Sequence, residues 1–169
     1  HVVFTVPREL TPIAAAHPEM FYNRLFLAVR ETLLEVAATP RHLGAEIGGL
    51  MVLHTWGQKL DLHPHLHCVV PGGGISLDGA QWVNCLPGFF MPVKLLSRMF
   101  RGKFLALVKE AHRRGELTLA GRLQPLDAFD TDAAAAVAFN LRAHADEHVR
   151  QVGHLGLLRG VFQHCFAFG

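Results

Sequence analysis

The feature that most restricts how this chain can fold is the run His63-Pro64-His65-Leu66-His67-Cys68-Val69-Val70-Pro71, closed by Gly72-Gly73-Gly74. Side chains on a β-strand point alternately to its two faces, so His63, His65 and His67 share one face while Leu66, Cys68 and Val70 share the other. Pro64 donates nothing to a sheet ladder, which places it just before the strand and leaves His65 and His67 as the working pair. Imidazoles two residues apart on a strand, roughly 6–7 Å at the backbone, can turn their nitrogens onto one ion. Such a pair suits Mn, Fe, Ni or Zn. The competing explanation is composition, because 12 His among 169 residues also cluster by chance.

At 169 residues and 50% hydrophobic, the chain can bury the core of one globular domain. No apolar run approaches the ~18 residues that span a bilayer, and the start lacks the layout of a signal peptide. A soluble, cytoplasmic protein without a membrane partner is expected. Cys68, Cys85 and Cys165 form an odd count without a Cys-x-x-Cys pair, so they read as buried free thiols. A formal net charge of +2 does not by itself argue for nucleic acid. The chain opens on His1-Val2-Val3-Phe4-Thr5-Val6-Pro7 without an initiator Met, and is expected to be a fragment of something longer.

Residues 2–6 have the composition of a buried strand stopped by Pro7. Over 18–38, Phe21, Leu25, Ala28, Val29, Thr32, Leu33 and Val36 recur at three and four, which predicts an amphipathic helix carrying Tyr22, the single tyrosine of the chain. Residues 44–56 read as one strand. Pairing it antiparallel with the histidine strand through the connection 57–64 sets Trp56 opposite His65 and His54 opposite His67. His54 then becomes a candidate third ligand, with Gln58 in the connection the next; otherwise His54 is an ordinary hydrogen-bonded histidine. Short strands at 75–77 and 81–85 around Asp78-Gly79 complete a predicted meander.

A second helix is predicted over 92–114, opened by Pro92 and closed by Gly115, with Val93, Leu96, Phe100, Phe104, Leu107, Val108 and Ala111 in helical period. Its polar positions are mostly basic, and Lys94, Arg98 and Arg101 fall on one stripe. Such a stripe is commonly a solvated face, and it is also what a phosphate backbone would contact. Trp56 and Trp82 are available to stack on bases. A last strand at 117–120 and an alanine-rich helix over 132–152, capped by Asp130 or Thr131, are predicted before an apolar tail.

Four pieces in order, HVVFTVP at the start, LHTWGQ at 53–58, HPHLHCVVPGGG at 63–74 and FMPVKLLSRMFRGKF at 90–104, make the chain resemble the two-tyrosine rolling-circle transposases of the HUH endonuclease superfamily. The resemblance covers residues 1–125 and leaves 126–169 as a divergent helical tail. It implies an α+β fold, a ferredoxin-like antiparallel sheet with helices packed on one side. It also implies a divalent metal, Mg or Mn, on His65, His67 and a third ligand, and single-stranded DNA at transposon ends as partner. In the family a tyrosine hydroxyl attacks the scissile phosphate, leaving a 5′-phosphotyrosine bond and a free 3′-hydroxyl. The family also carries a cysteine-rich segment ahead of the first strand and paired tyrosines downstream of the histidine strand, whereas here only Tyr22 is present, on a core-facing helix. Nicking and strand transfer are therefore expected to be incomplete in this chain, the other outcome being an inactive remnant that binds metal and single-stranded DNA only.

Three rivals share parts of the pattern. His144-Ala145-Asp146-Glu147-His148 matches the H-x-x-E-H of inverted zinc peptidases, but no acid follows Glu147 to serve as a further ligand. Cupin barrels place a Glu soon after His-x-His, and 68–77 contains none. Amidohydrolase barrels of ~250 residues exceed this length.

Overall fold

The computed structural model describes residues 1–57, 60–87, 90–118, 141–143 and 163–164. In chain order these form β1 (Val2–Thr5), a 3-10 turn (Arg8–Leu10), α1 (Thr11–Ala16), α2 (Pro18–Ala38), β2 (Ala45–Glu46), β3 (Leu50–Trp56) and β4 (Leu62–Val69). There follow β5 (Gly73–Ser76), β6 (Trp82–Asn84), α3 (Val93–Arg113), β7 (Leu141–Ala143) and β8 (Gln163–His164). One antiparallel sheet has the order β7-β1-β4-β3-β8, and a smaller one the order β2-β5-β6. Within the larger sheet β4 lies antiparallel between β1 and β3, so β1 and β3 run parallel. Leaving aside the edge strand β8, the path β1-α2-β3-β4-α3-β7 is the split β-α-β plan of a ferredoxin-like α+β fold.

The helical layer follows from the apolar periods. All seven periodic positions of α2, from Phe21 to Val36, are buried, and Thr32 hides its hydroxyl by donating to the Ala28 carbonyl at 2.7 Å. On α3 the buried stripe is Leu96, Phe100, Phe104, Val108 and Ala111. Aromatic edges lock these elements together: Phe4 of β1 meets Phe100 of α3 at 5.0 Å between centroids, and Phe104 of α3 meets Phe21 of α2 at 5.3 Å. Phe4 pairs across the ladder with Leu66, and both are fully buried. Since Leu66 points away from His65 and His67, the helices cover the sheet face opposite the histidines.

Several sequence expectations shift. Residues 44–56 form two strands in different sheets, β2 and β3, rather than one. β5 pairs with β2, so the β5–β6 hairpin leaves the main sheet instead of continuing it as a meander. Glycine makes this possible: a Cβ at Gly74 would run into the Glu46 carbonyl, and one at Gly73 into the Val83 carbonyl. Pro64 lies inside β4 rather than before it. Between the pairs His54 with His65 and Trp56 with Leu62 the register shifts, setting His63 and Pro64 against Thr55 alone, and at such a bulge proline leaves no ladder bond unmade.

Leu117 and Thr118 are not strand. Gly115, at φ +75, turns the chain back after α3, and Leu117 is buried in the core. The helix expected over 132–152 is interrupted by β7, which pairs with the otherwise open edge of β1; a long-range ladder overrides the helix preference of alanine there. The rest of that segment, and the boundary drawn at residue 125, lie outside the described residues. The 3-10 turn and α1 were not anticipated; Pro12 falls in the first turn of α1, and Ile13 and Ala14 are buried.

Candidate metal centre

His54 on β3 and His65 on β4 are direct partners across the ladder, and His67 lies opposite Val52. The sequence reading had His54 opposite His67, two residues away. Because strand side chains repeat every two residues, the two-residue slip keeps His54 on the histidine face. The stack of His54 on His67 has centroids 4.1 Å apart, and His65 stands 5.2 Å from His54 and 5.0 Å from His67. One ligating nitrogen from each of His54, His65 and His67 lies within 4.8 Å of the others. Among the described residues this is the one such cluster of His, Cys, Asp or Glu.

The ring of His65 is oriented by its own strand. Its Nδ1 lies 2.7 Å from the His63 carbonyl. A carbonyl can only accept, so Nδ1 carries the hydrogen and Nε2 keeps its lone pair for a cation. Burial lowers the pKa of all three rings. It is the main cause at His67, pushed down to about 4 with help from positive charge on His54 and His65. At His54 burial is joined by the His65 charge, and at His65 it outweighs the opposing hydrogen bond to His63. Neutral imidazole is the ligating form, so the site is held ready at neutral pH. This donor set fits a divalent cation.

The other candidates fall elsewhere. Gln58 is outside the described residues, as are His144, Glu147 and His148. Trp56 is exposed two residues beyond His54, on the histidine side by strand alternation. Lys94 and Arg98 are exposed and Arg101 half-buried on α3, beyond the sheet from the histidines. Lys103 is taken up by Glu35 of α2 at 2.8 Å, and Arg113 and Arg114 by Glu110. Tyr22 packs edge-on against Phe21 in the helical layer, where partial burial raises its hydroxyl pKa. Cys68 is a buried free thiol and Cys85 a half-buried one.

Sequence reasoning missed His1. Its ring stacks 4.9 Å from that of His67, and its Nε2 lies 2.8 Å from His67 Nδ1. His1 alternates with Val3 and Thr5, whose ladder partners are His67 and His65, so its place beside His67 follows only once β1 is paired with β4.

Comparison with known proteins agrees with the resemblance carried by the motifs. A family model described as "Putative transposase" matches residues 48–156, which include all three clustered histidines. The chain is 55% identical over 127 residues to "Putative transposase y4qJ" of Sinorhizobium fredii (strain NBRC 101917 / NGR234), covering 75% of this chain and 32% of that protein. It is 36% identical over 89 residues to "Transposase for insertion sequence element IS801" of Pseudomonas savastanoi pv. phaseolicola, covering 50% of this chain and 19% of that protein. The chain thus spans a third or less of the length of these relatives. No solved structure matches it. None of the described helices is long and apolar enough to cross a membrane. With the family model matched over more than half its length, the chain belongs to this family of transposases.

Proposed function

We propose that this chain is the metal-centred part of a rolling-circle transposase of the HUH type, and that His54, His65 and His67 hold a divalent cation against the scissile phosphate of single-stranded DNA. The observation that carries the reading is the convergence of three imidazole nitrogens within 4.8 Å on the sheet face opposite the one that α2 and α3 cover. A divalent cation bound there supplies Lewis-acid polarisation of a phosphate oxygen. The residues add no negative charge of their own, so the site selects for an anion as its next ligand. Imidazole suits Mn better than Mg, which makes Mn the preferred member of the expected pair. Trp56, exposed two residues along β3 from His54, offers a ring for a neighbouring base.

The attacking hydroxyl is not Tyr22. That residue sits in the helical layer, with the sheet between it and the triad. This chain then holds and orients the phosphate while nicking and strand transfer need a tyrosine it does not supply. The inactive-remnant reading shares the metal and DNA sites and differs only in whether such a tyrosine works with them in the whole protein.

The test is binding of a labelled single-stranded transposon-end oligonucleotide with and without Mn²⁺. Wild type should bind more tightly with Mn²⁺, and a His65→Ala, His67→Ala double variant should not respond. An equal response in both proteins would refute the site.

A further inference from the structure

The geometry points to His1 as a positioning residue for the metal centre: its Nε2 accepts the Nδ1 hydrogen of His67 and so fixes His67 with Nε2 bare toward a cation. The inference rests on the metal-site reading above and adds a residue to it. Two hydrogen bonds in the site have the same form. His65 Nδ1 is tied to the His63 carbonyl at 2.7 Å, and His67 Nδ1 to His1 Nε2 at 2.8 Å. In each, the nitrogen nearer the backbone is engaged, which leaves the outer nitrogen as the ligand.

For His65 the tautomer is forced, because a carbonyl has no hydrogen to give. For His67 it is a choice. If His1 donated, His67 Nε2 would carry the hydrogen and could not coordinate; with His1 accepting, His67 Nδ1–H donates and Nε2 is open. The stacking of the two rings, 24° from parallel, holds them in register for that bond. His1 reaches this place from the adjoining strand, because β1 pairs directly with β4 and sets Val3 opposite His67. Outer partners of ligating histidines fix ring orientation and raise ligand basicity, and losing one costs about 10–100-fold in metal affinity.

The experiment compares the 169-residue chain with His1→Phe, which keeps a ring but no acceptor, and His1→Gln, whose side-chain carbonyl can take the same hydrogen. Mn²⁺ and Co²⁺ affinity is measured by calorimetry. The His67 tautomer is read in the metal-free protein from nitrogen-15 shifts, assigned against His67→Gln. His1→Phe should bind about 10–100-fold more weakly and lose the Nδ1–H preference of His67, while His1→Gln should restore both. Circular dichroism on each variant separates these effects from loss of fold, and an unfolded His1→Phe leaves the His1→Gln tautomer and affinity to decide. Wild-type affinity and tautomer in His1→Phe would overturn the role of His1 alone, provided the His65→Ala, His67→Ala variant still loses binding. Wild type that gives no heat with either metal would overturn both the metal reading and this one.

Discussion

His54 and His65 face each other as ladder partners across β3 and β4, with ring centroids 5.2 Å apart. Two imidazoles so placed, with His67 stacked on the first, cannot all be cationic in a site that burial already makes unfavourable for charge.

Acid should therefore destabilise the metal-free protein through this site. The unfolded imidazole titrates at about 6.5, while His67 in the folded chain is pushed down to about 4. As pH falls between those values the unfolded state takes up the proton first, so the stability present above the upper value is lost through the lower one. His54 and His65, also lowered, act in the same sense. The urea midpoint should drop across that window, and His67→Gln should flatten the drop. A wild-type midpoint that rises on acidification would contradict this.

Gly74→Ala should weaken the smaller sheet. The added methyl meets the Glu46 carbonyl, a backbone atom that cannot swing aside, so the β2–β5 pairing must give way. A loss of about 1–3 kcal/mol is expected from overpacking of this kind. Gly72→Ala is the control, since nothing lies within 4 Å of a Cβ there. Equal denaturation midpoints for the two variants would count against the close approach.

If Lys94, Arg98 and Arg101 track a nucleic-acid backbone, affinity for single-stranded DNA should fall with salt at a slope of about −0.7 per phosphate contact. Because they lie on α3, beyond the sheet from the triad, such contacts would fall on DNA away from the scissile phosphate. Neutralising all three should flatten the slope and leave Mn²⁺ affinity unchanged. An unaltered slope identifies them as a solvated face.

Incubation with Mn²⁺ and a labelled transposon-end oligonucleotide should give no denaturation-resistant protein–DNA adduct on this chain. Tyr22 would have to leave its contact with Phe21 and pass the sheet to reach the triad. An adduct on wild type that vanishes in Tyr22→Phe would make Tyr22 the nucleophile after all.

What the sequence disclosed and what it hid divide by physical cause. The helix period of α2 was legible because one face is buried along its whole length, from Phe21 to Val36. His54 could be placed on the right face with the wrong partner, because a slip of two residues preserves alternation. The bulge at His63 and Pro64 was invisible: proline announces a break in the ladder, and only the partner strand decides whether the break lies before the strand or within it. β7 was hidden because its strand state comes from the free edge of β1, more than a hundred residues away in sequence. His1 was overlooked for the same reason, since its significance lies in a neighbour that only the ladder supplies.

All three clustered nitrogens come from a single β3–β4 hairpin, from His54 to His67. Bringing them together closes a short loop, and chain entropy charges little for short loops. The convergence of the three imidazoles is thus a local event that can precede docking of α2 and α3. The contact from His1 comes with β1, at a longer range in sequence, so His67 gains this partner only once β1 has joined β4.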